Sequence, residues 1–311
     1  MKCEIGWDNI THNDASVLTV GTFDGVHRGH QAILSYLRDR AEEKNGPSTL
    51  ISFDPHPRTV VHGAEVPLLT TVSERARILE DLGLDRFVVI PFSHEFAQRS
   101  ARDYIEAVLV DRIGLQEITV GYDHRFGKDR AGDVALLREL GAEHGFAVDV
   151  IPPQEVDHDV VSSSSIRTLL ADEGAVEKAW ERLGRPYQLQ GTVARGEGRG
   201  RTLGFPTANL VLHDARKLVP RHGVYATRVH GPDGQVHGGM MNIGRRPTFD
   251  EMDVTVEVHL LNFDGDLYGQ RLSVQFLQRL RDEQKFDSAD ALAAQLSEDE
   301  QRCTAVVEAM A

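Results

Sequence analysis

Short apolar runs alternate with longer segments of helical periodicity in the first part of the chain. The apolar runs predict strands over residues 16–21, 48–53, 87–92, 117–123 and 146–152. Between them, apolar residues three and four positions apart predict helices, as in 32–44, SERARILEDLG, ARDYIEAVLVDRIG and DVALLRELGAEHG. Strands that alternate with helices indicate an α/β domain with a Rossmann-like parallel sheet, covered on both faces.

The pattern changes near residue 185, where strand-like segments begin to dominate. These segments read YQLQGTVARG, GVYATRVHG, GQVHGGMMNIG, VTVEVHLLNF and RLSVQFLQRL, and turn signals such as GPDG and NFDG separate them. The last stretch, from SADALAAQL onwards, is again helical. We therefore expect a small antiparallel β-barrel with a C-terminal helix. Pro186 suits a linker, so the predicted domains are residues 1–185 and 186–311.

Composition narrows the class of protein. A chain of 311 residues with 41% hydrophobic and 26% charged residues can form two ordinary globular domains. It has no apolar run of the roughly 20 residues that span a bilayer, and its polar start does not resemble a secretory signal. Cys3 and Cys303 have neither disulfide nor metal-site spacing, so we expect a cytoplasmic protein. A net charge of -14 argues against nucleic-acid and anionic-membrane partners.

A loop rich in glycine and histidine joins the first predicted strand to the first helix. Its candidate residues are Gly21, Phe23, Asp24, Gly25, His27, Gly29 and His30. Parallel sheets bind ligands where their strands end, and free N–H groups at a helix start attract anions. His27 and His30 share one face of the first turn, where imidazoles can donate to phosphoryl oxygens. The alternatives are a zinc pair, for which no third ligand has familiar spacing, and inert loop residues.

A second phosphate-binding candidate is the segment VSSSSIRTLL at 161–170. The serine hydroxyls precede a predicted helix, and Arg167 offers a planar fork for phosphate. Helix capping would explain one serine but not the run together with an arginine. Both interpretations stay open on the residues alone.

The predicted barrel contains a third cluster of candidates. Gly196, Gly198, Gly200 and Gly204 form a glycine-rich loop, which either wraps a phosphate or is an ordinary hairpin. Thr207 and Asn209 follow it, and on an extended segment their oxygen ligands would face one side, as Mg²⁺ requires. Glu257 lies in an apolar-rich strand, so it is either exposed on the polar face or placed as a general base.

Together these segments are similar to a known family. GTFDGVHRGH, SFDPHP, GYDHRFGKDRAG and VSSSSIR occur in the order seen in bacterial FAD synthetases, the bifunctional riboflavin kinase/FMN adenylyltransferases. GRTLGFPTAN, HGVYA, NIGRRPTF, VEVHLLNFDGDLYG and LRDEQKF resemble successive blocks of the bacterial riboflavin kinase domain. The resemblance covers essentially the whole chain.

The resemblance implies a nucleotidyltransferase domain followed by a kinase barrel. In the first domain, His27 and His30 would contact ATP phosphates and stabilise the transition state. The residues expected to bind ATP there are Gly21, Phe23, Asp24, Gly29, Asp123, Ser164 and Arg167. In the second, the glycine loop would bind ATP, Thr207 and Asn209 would hold Mg²⁺, and Glu257 would deprotonate the riboflavin 5′-hydroxyl. Riboflavin, FMN, FAD, ATP, ADP and pyrophosphate would be substrates and products, with flavin not a prosthetic group.

Three other functions are alternatives to the one that the resemblance implies. A different H-x-G-H transferase would not explain the second domain. A flavin-binding regulator that has lost catalysis should show damage at the histidines, Thr207, Asn209 or Glu257, and all are present. A chain with a single active domain should show a gap in one of the two motif sets, and neither set has one.

Overall fold

The computed structural model describes residues 1–121, 124–151, 161–196, 200, 203–247 and 252–310. The chain divides into two compact units, Met1–Ser163 and Ser164–Ala311. Two of the candidate residues, Asp123 and Gly198, lie outside the described residues. Within the described ranges, no helix is long and apolar enough to cross a membrane.

The first unit contains a six-stranded sheet. Its strands are β1 (Lys2–Ile5), β2 (Ser16–Val20), β3 (Ser48–Asp54), β4 (Arg86–Pro91), β5 (Leu115–Gly121) and β6 (Ala147–Ile151). Their order is β1-β4-β3-β2-β5-β6, and all neighbours are parallel. This confirms the predicted parallel α/β domain and adds the edge strand β1, which the apolar pattern did not predict.

Helices cover both faces of this sheet. They are α1 (Arg28–Lys44), α2 (Pro57–His62), α3 (Val72–Asp81), α4 (His94–Ala97), α5 (Ala101–Asp103) and α6 (Val134–His144). The helix predicted over 101–114 is only briefly α-helical, because α5 continues as a wider π-helix from Tyr104 to Ile113. Alternate strand residues face opposite sides, so Val17 packs in one core with Leu34 of α1 and Leu18 packs in the other with Leu109.

The strand order places a ligand-binding crevice beside β2. The chain leaves β2 towards β3 on one side, whereas β5 lies on its other side. Such a reversal leaves a gap between the crossovers at the carboxyl ends of the two strands. The loop that follows β2 and leads into α1 therefore lies where α/β sheets bind nucleotides.

The second unit contains a closed antiparallel barrel. Its strands are β7 (Gln188–Ala194), β8 (Ala208–Leu212), β9 (Gly223–His230), β10 (Val236–Pro247), β11 (Met252–Leu260) and β12 (Arg271–Arg281). Their order around the barrel is β10-β11-β8-β7-β12-β9. A long helix, α9 (Ala289–Ala309), packs on β9 and β10 and buries Cys303 against Ala226 and Met240. The predicted barrel with a C-terminal helix is confirmed.

Two helices precede the barrel within the second unit. The helix α7 (Ser163–Thr168) continues as a π-turn over Leu169–Glu173, and α8 (Val176–Leu183) follows it and packs on β12. The compact unit thus begins before residue 186, where composition places the start of the second domain. The boundary at 185/186 stays a prediction, which fragments can test.

Candidate active sites

Three aromatic rings form a stack in the loop between β2 and α1. The ring centroids of His27 and His30 lie 3.6 Å apart, and those of Phe23 and His30 lie 4.4 Å apart. His27 is buried, whereas His30 is half-buried and therefore nearer to solvent. The structure brings together the two histidines that the sequence singled out, at the start of a 17-residue helix.

The hydrogen bonding of His27 determines which ring nitrogen carries the proton. His27 caps α1, because its Nδ1 accepts a hydrogen bond from the backbone N–H of His30 at 3.3 Å. In a neutral imidazole the other nitrogen, Nε2, is then the N–H donor. Gly29 lies beside this ring, and a Cβ on it would be 3.3 Å from the imidazole. The missing side chain keeps the helix start open, as phosphate binding requires.

Asp24 is fully buried under the same loop. Its carboxylate accepts hydrogen bonds from the backbone N–H groups of Leu69 and Thr70, at 3.0 and 2.9 Å. Its backbone carbonyl accepts a hydrogen bond from the hydroxyl of Ser163 at 2.8 Å. Asp24 therefore holds the loop through buried hydrogen bonds, and its expected part in ATP binding stays a prediction.

Three of the four serines in the run are helical, and Ser162 alone precedes the helix. The helix α7 already begins at Ser163, so Ser164 and Ser165 are inside it. Ser164 is exposed and Arg167 is half-buried, while Ser165 accepts a hydrogen bond from Arg182 at 2.9 Å. Ser164 and Arg167 belong to the second compact unit, and their predicted contact with the nucleotide stays a prediction.

In the barrel, the pairing of β8 with β11 brings Thr207, Asn209 and Glu257 close together. Asn209 on β8 pairs directly with Glu257 on β11, so their side chains share one face. The hydroxyl of Thr207, two residues before Asn209, donates to the Glu257 carboxylate at 3.0 Å. Glu257 is half-buried and is not a freely exposed strand residue. Its predicted role as a general base stays a prediction.

In the loop before β8, Gly196 and Gly200 lie close to the segment from Phe205 to Asn209. A Cβ on Gly196 would collide with the side-chain amide of Asn209, and a Cβ on Gly200 would collide with the carbonyl of Phe205. Gly204 has a φ of +88°, which disfavours any other residue. His259 on β11 hydrogen-bonds through Nδ1 to the carbonyl of Pro206 at 2.7 Å.

Known proteins are similar to this chain over both candidate sites. A model of FAD synthetase matches residues 9–165, and a model of riboflavin kinase matches residues 183–307. The chain is 42% identical to the bifunctional riboflavin kinase/FMN adenylyltransferase of Pseudomonas fluorescens, over 91% of this chain and 90% of that protein. It is 38% identical to the enzyme of the same name from Escherichia coli K12, over 96% of each. The chain belongs to the family of bifunctional riboflavin kinase/FMN adenylyltransferases.

A solved structure is similar to this chain over almost its whole length. The crystal structure of a macrolide-efflux protein from Streptococcus pneumoniae superposes with a TM-score of 0.86 and 32% identity, covering 97% of this chain and 98% of that one. The name of that protein concerns another activity.

Sequence reasoning missed the residues that support the histidine loop. Thr70 and Arg75 are both buried, and they hydrogen-bond to the loop between β2 and α1. In the sequence, Thr70 reads as part of a helix start and Arg75 as a surface charge on an amphipathic helix. Their partners lie 45 and 53 residues away along the chain, so local patterns carry no signal for them.

Proposed function

We propose that this chain makes FAD in two ATP-dependent steps, one in each part of the molecule. The barrel phosphorylates riboflavin to FMN, and the α/β domain transfers an adenylyl group from ATP to FMN. The observation that carries the proposal is the presence, in one chain, of the histidine stack at a helix start and of Thr207, Asn209 and Glu257 on one barrel face.

In the adenylyl transfer, an oxygen of the FMN phosphate attacks the α-phosphorus of ATP, and pyrophosphate leaves. Negative charge grows on the phosphoryl oxygens during this step. The Nε2–H of His27, the ring of His30 and the N-terminal N–H groups of α1 are placed to stabilise it. The protein needs no covalent intermediate, since the nucleophile is already ionised and its work is positioning.

In the kinase step, Glu257 accepts the proton of the riboflavin 5′-hydroxyl as that oxygen attacks the γ-phosphorus of ATP, releasing ADP. The hydroxyl of Thr207 donates to this carboxylate, which fixes its orientation. Gly196 and Gly200 lie close to Asn209 and Phe205, and we assign them, together with Gly198 and Gly204, to binding of the ATP phosphates.

The donor set of the barrel fits Mg²⁺. Because Thr207 donates its proton to Glu257, its oxygen lone pairs stay available, and Asn209 offers an amide oxygen on the same face as Glu257. Both are the hard oxygen ligands that Mg²⁺ prefers. We assign Thr207 and Asn209 as its holders; when bound with ATP, the ion would neutralise charge on the phosphates.

We place the enzyme in the cytoplasm, with small molecules and not nucleic acid as its ligands. Both cysteines are free thiols, which suits a reducing compartment. The net charge of -14 disfavours polyanionic partners, while the helix start offers a local site for a nucleotide phosphate.

Chromatography of flavins tests the proposal. The purified protein is incubated with riboflavin, ATP and Mg²⁺, and the reaction is repeated with FMN as the only flavin and with a chelator. We expect riboflavin to pass through FMN to FAD, FMN alone to give FAD, and the chelator to stop both. A product series that ends at FMN would mean a single active domain. Flavin binding without any product would mean a regulator.

A further inference from the structure

The loop that presents His27 has an unusual backbone. Phe23, Gly25 and Val26 have φ values of +45°, +84° and +39°. Only glycine adopts such values readily, and Val26 is β-branched, which makes this conformation costly. Such a backbone persists where the surrounding structure fixes it, and it clusters at functional sites. The support for this loop therefore bears on the chemistry of the histidines.

The hydroxyl of Thr70 links two parts of the loop. It accepts a hydrogen bond from the backbone N–H of Gly25 at 2.9 Å and donates to the carboxylate of Asp24 at 3.1 Å. The backbone N–H of Thr70 donates to the same carboxylate. Thr70 and Asp24 are both buried, so solvent does not compete for these bonds. One side chain thus holds two consecutive residues of the loop.

Arg75 on α3 holds the other end of the loop. Its Nη1 donates to the carbonyl of Thr22 and to the hydroxyl of Ser52, both at 2.7 Å, and its Nη2 donates to the carbonyl of Thr70 at 3.3 Å. Ser52 also donates to the carbonyl of Thr22 at 3.0 Å. Arg75 is 3% exposed. Its guanidinium therefore fastens the start of the loop, the end of β3 and Thr70 to one another.

We propose that Thr70 and Arg75 are positioning residues for adenylyl transfer. They hold residues 22–26 in the conformation that stacks Phe23 on His30 and His30 on His27. Their hydrogen bonds go to residues 22, 24, 25 and 52, and they act on the reaction through the loop. The inference rests on the proposed adenylyl transfer at the two histidines. It goes beyond that proposal by assigning the geometry of the histidines to two residues at the start of α3, which lies between β3 and β4.

The first test compares Thr70→Val with Thr70→Ser. Valine keeps the shape but removes the hydroxyl, so the N–H of Gly25 and one oxygen of Asp24 each lose a bond. Because small displacements of catalytic groups are expensive, we expect Thr70→Val to lower the kcat for FAD formation from FMN about 10- to 100-fold. The riboflavin kinase rate should change little. Thr70→Ser keeps the hydroxyl and should restore most of kcat.

A second readout follows the histidine rings themselves. Stacked rings shift one another's proton resonances, so the imidazole signals of His27 and His30 report the stack directly. We expect them to move in Thr70→Val and to return in Thr70→Ser. If Thr70→Val does not fold, Arg75→Lys makes the same test. Its single nitrogen keeps the charge but cannot replace both guanidinium nitrogens, and kcat should fall by a similar factor.

A matched control is Arg86→Lys. Arg86 is also buried and also binds a serine hydroxyl and a backbone carbonyl, those of Ser16 and Thr11, but at the opposite end of the strands. It should lower the melting temperature without changing kcat for adenylyl transfer. The inference is overturned if Thr70→Val and Arg75→Lys keep the parent kcat and merely melt earlier, as Arg86→Lys does. A parent enzyme that makes no FAD, or His30→Ala that makes it at the parent rate, would instead overturn the proposed function.

Discussion

A fragment that contains only the barrel should differ in stability according to the residue at which it starts. Composition places the boundary at Pro186, whereas the second compact unit begins at Ser164 and includes α8. Two fragments, 164–311 and 186–311, therefore differ by the helices that pack on the barrel. We expect the longer fragment to fold and to phosphorylate riboflavin, and the shorter one to be much less stable.

The size of the difference follows from what α8 buries. Val176, Ala179 and Leu183 are at most 1% exposed, and the carboxylate of Glu177 accepts a hydrogen bond from the backbone N–H of Arg279 on β12 at 3.0 Å. Burial of these three side chains is worth about 4–7 kcal/mol. A domain of this size has a total stability of about 5–15 kcal/mol. Removal of α8 should therefore cost at least about a quarter of the free energy of unfolding, and about half of it at the middle of both ranges.

Circular dichroism during urea unfolding measures this directly, with riboflavin phosphorylation as the functional readout. The variant Leu183→Ala of fragment 164–311 serves as a reference, since truncation of a buried leucine lowers the free energy of unfolding by about 2–5 kcal/mol. Its midpoint should lie between those of the two fragments. Equal midpoints and equal kinase rates for 164–311 and 186–311 would refute the reasoning and support the boundary at residue 186.

Two further predictions concern single side chains. Gly196→Ala should lower the kcat/KM for riboflavin phosphorylation about 10- to 100-fold, because its Cβ would displace the amide of Asn209, while FAD formation from FMN continues. Steady-state rates of both steps check this, and an unchanged kinase rate would contradict it. Ellman's reagent at about pH 8 should label only Cys3 in the native protein, since thiolate and access are both needed. Cys303 is fully buried, and burial raises its pKa to about 11, so rapid native labelling of Cys303 would contradict its packing.

The short strand β8 (Ala208–Leu212) was not among the predicted segments. Much of the rest of the fold could be predicted because most strands carry their own apolar signal. The edge strand β1 could not, because the residue it buries is charged. Glu4 is 2% exposed and forms an ion pair with Arg86 at 2.7 Å, so the pattern KCEI conceals the buried position. The π-helix from Tyr104 to Ile113 was also hidden, since apolar spacing predicts a helix but does not reveal the wider turn.

The candidate site residues also differ in how far the sequence alone could reveal them. His27 and His30 could be found from the sequence because a strand, a glycine loop and a helix start meet within a few residues. Asn209 was a candidate from its oxygen ligand and its spacing to Thr207, whereas Glu257 needed the resemblance, because its pairing with Asn209 across β8 and β11 joins segments far apart in the chain. Thr70 and Arg75 had no signal, since their function depends on buried partners that only the folded sheet brings near.

The central claim is that one chain carries two independent active sites. The most direct measurement uses His30→Ala and Glu257→Gln, each alone and then mixed, with riboflavin, ATP and Mg²⁺. His30→Ala should accumulate FMN, since loss of a transition-state donor costs about 10²–10³-fold in FAD formation. Glu257→Gln should leave riboflavin unchanged, since loss of a general base costs about 10²–10⁴-fold, yet it should convert added FMN to FAD.

The mixture is the decisive sample. Because FMN made by His30→Ala can diffuse to the intact adenylyltransferase of Glu257→Gln, the mixture should produce FAD from riboflavin at a rate that neither variant reaches alone. Loss of both activities in either single variant, with the fold intact by circular dichroism, would contradict the assignment of one reaction to each site. So would FAD formation from riboflavin at the parent rate by either variant alone.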